Sequence, residues 1–149
     1  MPINTEIPIA GMLGRASHKM RLLLDKVFAK NNLNLNVEQF LLLKCLSFND
    51  GTNQQELSRI IDRDKTTIAR IVSKMEKKNM VLRVHSKDDK RVNNVYLTNL
   101  GKEILVNVEP HLKELNDTLK AGISSEEFEV LKGVLDKLVN QIEEIENKL

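Results

Sequence analysis

Between Asp64 and Lys78 the chain sets Lys65, Thr66, Thr67, Arg70, Ser73, Lys74 and Lys77 among the apolar residues Ile68, Ile71, Val72 and Met75. Those apolar positions follow i, i+3, i+4, i+7, the spacing of one helix face, so the polar set is left facing outward. The outward residues suit hydrogen bonding and charge neutralisation rather than covalent chemistry. Thr and Ser bond base edges or phosphates, Arg can grip guanine with two bonds, and Lys neutralises phosphate. The start of such a helix adds free N–H groups and a partial positive charge for an anion. An α-helix also fits the major groove of B-DNA, where the four base pairs are distinguishable. A lysine-rich face can equally arise from solubility alone, so a second element has to decide.

That element follows at once. "MVLRVH" and "NNVYLT" are β-prone and partly alternating, with "SKDDKR" between them, which predicts a hairpin. Its tip, Lys87-Asp88-Asp89-Lys90-Arg91, would flank the helix and bring Lys90 and Arg91 to a nucleic acid. A guanidinium at such a tip can enter the narrow minor groove, whose negative potential attracts Arg. The acidic pair is unexpected there. A carboxylate can nonetheless order a neighbouring Arg through a charge-assisted hydrogen bond, and Asp89 is assigned that wing-ordering role.

The elements that must position these residues can be placed from local signals. Gln54–Ile61 and Lys65–Lys78 form two short helices joined by a tight turn, a helix-turn-helix. The first is expected to start at Thr52, with Gln55 completing T-x-x-Q, and to bury Leu57, Ile60 and Ile61; the second is capped by Asp64. Asn79 is placed to end it, because Asn tolerates the left-handed conformation. Upstream, a long helix from about Ile7 to Lys30 carries Ile9, Leu13, Ala16, Met20, Leu23 and Val27 on one face, and "NNLNLN" ends it. Asn36, with Gln39 three residues on, caps another helix that buries Phe40, Leu43 and Leu46 or Leu42. Downstream, Thr98 caps a helix running towards Gly122, with a kink expected at Pro110. Ser124 and Glu127 open a last helix whose Leu131, Leu135, Leu138, Ile142, Ile145 and Leu149 form a seam requiring a long partner helix. Packing within one chain could satisfy that seam, but the long striped helices at both chain ends favour packing between two chains.

Composition narrows the class. The 149 residues are 41% hydrophobic and 30% charged, which suits a globular domain with its own core. Aromatics make up only 3%, leaving few platforms for stacking single-stranded bases. The net charge of +2 hides a segregation: residues 55–102 hold 12 Lys/Arg against 6 Asp/Glu, whereas 103–149 hold 5 against 11. A basic block beside an acidic one points to a polyanion partner for the middle of the chain. No apolar run reaches transmembrane length, "MPINTEIPIAGML" lacks a basic leader, and one cysteine fits a reducing compartment; a cytoplasmic location is expected.

The segment "QELSRIIDRDKTTIARIVSKMEKKNMVLRVHSKDDKRVNNVYLTNLG" resembles the winged helix-turn-helix of the multiple antibiotic resistance regulator (MarR) family. Asp89 and Arg91 fall in step with Leu97, Thr98 and Gly101, the threonine-rich start of the recognition helix is present, and "MEKKNMV" matches the helix exit. Asn79 departs from the family, which usually has Gly there. The resemblance implies a mainly α fold with a small β-hairpin wing. The winged helix-turn-helix would occupy residues 35–102, and dimerisation helices residues 1–34 and 103–149. It further implies a homodimeric transcriptional regulator, a repressor by family habit, binding pseudo-palindromic double-stranded DNA through recognition helix 65–78 and wing 86–94. Carried over by position, Thr66, Thr67 and Arg70 face the bases, Lys65, Lys74 and Lys77 meet phosphates, and Arg91 enters the minor groove. Family members also respond to small anionic or phenolic ligands held between the dimerisation and DNA-binding parts. Arg15, His18 and Arg21 on the first helix could line such a cleft, although solvated or dimer-interface charge is the better account of them.

Other features invite chemistry and are better explained by packing. Cys45 lies among Leu41, Leu42, Leu43 and Leu46, a setting for a buried thiol rather than an accessible sensor. His18, His85 and His111 are scattered without metal-ligand spacing, no glycine-rich phosphate loop or nucleophile–base pair appears, and neither cofactor nor enzymatic activity is expected. Two alternatives stay open at this stage. One is a winged-helix protein-interaction module that no longer binds DNA; the other is a thiol redox sensor acting through Cys45.

Overall fold

Local capping signals set most of the element boundaries in the structure, a computed structural model that describes residues 8–149. The described elements are α1 (Ile9–Lys30), α2 (Val37–Phe48), β1 (Thr52–Asn53), α3 (Gln54–Ile61), α4 (Lys65–Lys77), β2 (Val81–His85), β3 (Asn93–Leu97), α5 (Asn99–Ala121) and α6 (Ser125–Glu146). The mainly α architecture with a small hairpin agrees with the expectation from sequence. The start assigned to the first helix at Ile7 lies outside the described residues.

Asn36 caps α2 by accepting from Gln39 N–H at 2.9 Å, while the Gln39 side chain accepts from Asn36 N–H at 3.2 Å. Ser124 and Glu127 make the same reciprocal pair at the head of α6. Asn32 and Asn79 take the left-handed conformation at φ 55° and 59°, ending α1 and the α4 region as their type allows. Pro110 lies inside α5 and does not end it.

Two expectations require correction. Thr52 does not open α3. It lies buried in β1, paired antiparallel with Val95, and Asn53 caps the helix by accepting from Glu56 N–H at 2.8 Å. The hairpin is therefore two strands of a three-stranded sheet, ordered β1-β3-β2. Ile60 is not part of the core either, being 49% exposed, whereas Leu57 is fully buried. In an eight-residue helix only about two turns are available, and the α2 and α4 faces select Leu57 alone for full burial.

The chain divides between Glu109 and Pro110 into two compact units. In the first, one core collects Leu42, Leu43 and Leu46 of α2, Leu57 of α3, Ile68, Ile71, Val72 and Met75 of α4, and Val81, Val95 and Leu97 of the sheet. Each fully buried aliphatic side chain contributes about 1.5–3 kcal/mol, so this cluster is what seats α4. Phe28 of α1 meets Phe40 of α2 with ring centroids 5.8 Å apart, and Asp25 accepts from Val37 N–H at 3.0 Å.

The junction between the wing and α5 is built by Thr98 and Gly101. The Thr98 hydroxyl lies 2.6 Å from the Asn79 carbonyl and 3.0 Å from that of Met80, and accepts from Gly101 N–H at 3.0 Å. A Cβ on Gly101 would stand 2.2 Å from the Met80 carbonyl oxygen, so no larger residue fits this approach of backbones. In the second unit, Lys120 of α5 lies 4.3 Å over the Phe128 ring of α6. No residue of α6 is buried within the single chain.

Candidate nucleic-acid interface

The recognition helix is held at its start by Asp64. Its carboxylate accepts from Thr67 N–H at 2.6 Å and from the Thr67 hydroxyl at 3.0 Å. The Thr67 backbone bond, then its hydroxyl, hold the Asp64 carboxyl below the usual carboxylate range, with Arg70 adding to the effect. Ile68, Ile71, Val72 and Met75 are buried beneath α4, while Lys65, Thr66, Arg70, Lys74 and Lys77 are exposed on its outer side. Thr67 and Ser73 are half-buried, and both hydroxyls already have partners within the protein.

Before α4, the turn is fixed by Asp62, which takes a left-handed φ of 56°, and by Arg63. Arg63 N–H donates to the Ser58 carbonyl at 3.0 Å, and its guanidinium lies 3.3 Å from Glu38 of α2. Arg21 of α1 reaches the same Glu38 oxygen at 3.7 Å. Of the three residues suggested for a ligand cleft, Arg15 and His18 are exposed on α1, and Arg21 is turned to Glu38.

At the wing, Ser86 N–H donates to the Val92 carbonyl at 2.8 Å and closes the loop. Inside it, Asp89 accepts from Arg91 backbone N–H (3.0 Å), Nε (3.2 Å) and Nη2 (3.3 Å). The guanidinium, and then the backbone bond, hold the Asp89 carboxyl below its ordinary range. Arg91 is 91% exposed at its side chain, so the fork is presented to solvent, and Lys90 beside it is exposed too. A polar cavity of about 220 Å³ separates the two basic elements, lined by Asn53, Gln54 and Gln55 of the α3 start, Lys65 of α4, and Arg91 to Asn93 of the wing.

Sequence reasoning overlooked a cluster around Arg83. This residue joins the sheet to Ser73 and Glu76 of α4 and to Gln54 of α3. The signal was present: alternation along β2 puts Arg83 on the same side as buried Val81, and a charge at a core-side position requires partners.

Cys45 is half-buried beside an apolar groove of about 470 Å³ that includes Leu41, Phe48, Ile60 and Ile61. Burial, and secondarily Glu56, push its thiol pKa up, which disfavours the reactive thiolate. Among the described residues no group of His, Cys, Asp and Glu could hold a metal ion. No helix among them is long and apolar enough to cross a membrane.

A helix-turn-helix with a basic outer face, flanked by an arginine-tipped hairpin on a three-stranded sheet, defines a winged-helix DNA-binding protein. Residues 35–92 match the sequence model of the MarR family. That match falls on the helix-turn-helix and wing described above, so this part of the chain is similar to the MarR family. The uncharacterized HTH-type transcriptional regulator YybA of Bacillus subtilis (strain 168) is 26% identical over 112 residues, covering 75% of each chain. A MarR protein from Peptoclostridium difficile superposes with a TM-score of 0.83 at 26% identity, over 97% of this chain and 94% of that one. S. aureus MepR, solved as a DNA complex, has the same fold, with a TM-score of 0.82 at 24% identity over 92% of this chain and 99% of its own.

Proposed function

We propose that this regulator is a homodimeric repressor that reads a pseudo-palindromic operator with α4 in the major groove and the wing in the minor groove. The observation that carries the reading is the pairing of an exposed Thr66–Arg70–Lys74–Lys77 face with an Arg91 fork pre-ordered by Asp89. Major and minor grooves are separated by a phosphodiester strand, and the polar cavity between Lys65 and Arg91 is where such a strand would lie. Arg70 and Thr66 are the base readers. Thr67 and Ser73 contribute through their remaining acceptor capacity, Lys65, Lys74, Lys77 and Lys90 neutralise phosphates, and Arg91 enters the minor groove. The DNA complex of MepR supports the same use of the shared fold.

Dimerisation is supported by the exposed apolar stripe of α6. Leu131, Leu135, Ile142 and Ile145 are 48%, 39%, 47% and 59% exposed in the single chain. A stripe of this size on a soluble chain marks an interface, and a second copy offers the matching one. A small anionic or phenolic effector, drawn by Arg15, His18 and Arg21, would relieve repression by altering the spacing of the two recognition helices.

Binding of a selected duplex by the wild type and by Arg91→Ala, with light scattering of both, tests the proposal. Weaker binding by the variant and a dimeric mass for each are expected. Equal affinity would refute the wing contact, and a monomeric mass would refute the two-half-site scheme.

A further inference from the structure

Arg83 occupies the core-side position of β2 opposite Val95, and its guanidinium is satisfied by two helices. Nη2 donates to Ser73 Oγ and to Glu76 Oε1, each at 3.0 Å, and Nη1 stands 3.5 Å from Gln54 Oε1. Its backbone N–H donates to Glu76 Oε2 at 3.2 Å. Both carboxylate oxygens of Glu76 are therefore held by a single residue of the sheet. The ion pair is partly shielded, with side chains 26% and 39% exposed. The Arg83 side chain, then its backbone N–H, hold the Glu76 carboxyl below its ordinary range.

The apolar underside seats α4 by close packing, and directional hydrogen bonds add a resistance to rotation that burial alone does not supply. A roll of about 20° about the helix axis shifts side-chain tips by roughly 2 Å, given a helix radius of about 5–6 Å with side chains. Such a shift breaks a bidentate contact, whose hydrogen bonds tolerate only a few tenths of an ångström. Ser73 and Glu76 lie one turn apart on α4, and Arg70 lies one turn before Ser73. Bonds from a planar guanidinium to that pair oppose the roll.

We propose that Arg83 is a specificity-determining positioning residue: by bracing Ser73 and Glu76 against the sheet it sets the register in which Arg70 and Thr66 meet base pairs, without touching DNA itself. The inference rests on the DNA-reading role proposed for α4 and adds to it a residue outside the interface.

The test uses the full chain. A duplex is first enriched from a random pool by the wild type. Affinities of wild type and Arg83→Ala are then measured for that duplex and for a scrambled duplex of the same length, across a salt series. The variant is expected to lose roughly tenfold on the enriched duplex while keeping its affinity for the scrambled one and an unchanged salt slope. Arg83→Lys should not restore discrimination, because one ammonium cannot reproduce the planar fork. Should Arg83→Ala fail to fold, Glu76→Gln serves the same comparison, with a loss of about threefold on the enriched duplex alone. A shallower salt slope would make Arg83 a phosphate contact and overturn the inference. An equal loss on both duplexes, or no loss, would overturn it too. If the wild type enriches no duplex, the DNA-reading role fails and this inference with it, a result distinct from any variant-specific one.

Discussion

Lys74→Ala removes an exposed ammonium from the outer face of α4 without disturbing the core beneath it. Lys to Ala in an exposed helix position changes stability by no more than about 0.5 kcal/mol, so a binding effect would not be a folding effect. Four lysines, Lys65, Lys74, Lys77 and Lys90, are assigned to phosphates, which gives about eight contacts in a dimer. With about 0.9 counterion released per contact, the slope of log affinity against log salt is about −7. Affinity should then fall about 10⁴-fold between 50 and 200 mM salt. Lys74→Ala deletes one contact per subunit, so the slope should rise by about 2 and the same salt step should cost only about 10³-fold. Fluorescence anisotropy with a labelled duplex across that range measures the slope directly. An unchanged slope in both Lys74→Ala and the Lys74→Ala, Lys77→Ala double variant would refute the phosphate assignment.

Other expected outcomes are equally specific. Gly101→Ala forces a Cβ to within 2.2 Å of the Met80 carbonyl and should cost about 1–3 kcal/mol in urea unfolding; an unchanged midpoint would contradict the close approach. Arg70→Ala should relax discrimination at one base position by about 1–3 kcal/mol, read by competition with single-substituted duplexes, and uniform weakening would make it a phosphate contact instead. The Asp64 carboxyl is held low, chiefly by Thr67 N–H, so its stabilisation is present above the unfolded carboxyl value of about 4 and is lost as pH falls through the folded value. Asp64→Asn should therefore flatten the loss of stability below pH 4, and identical acid-unfolding profiles would exclude that role. Deleting residues 126–149 should yield a species that no longer dimerises in light scattering, whereas a retained dimer would move the interface elsewhere.

What was legible in the sequence was local. The caps at Asn36, Asp64 and Ser124 depend on one side chain and a backbone group three residues away, which a single stretch can specify. β1 was not legible: two residues carry no period, and Thr52 becomes a strand only because Val95 is brought beside it. Ile60 was misassigned for a related reason, since an eight-residue helix offers too few turns for its pattern to fix which flank is buried. The outward set on α4 followed from its strong period, whereas the Arg83 brace is a tertiary arrangement of three elements. The Leu131 to Ile145 stripe could be read from sequence, and Leu131, Leu135, Ile142 and Ile145 stay exposed on α6.

Sequence-specific recognition of duplex DNA by α4 and the wing is tested most directly by enriching duplexes from a random pool with the purified full chain. The expected result is a pair of inverted half-sites with centres one helical turn, about 10 base pairs, apart. Recovery of no sequence, or of a single unrepeated half-site, would contradict it.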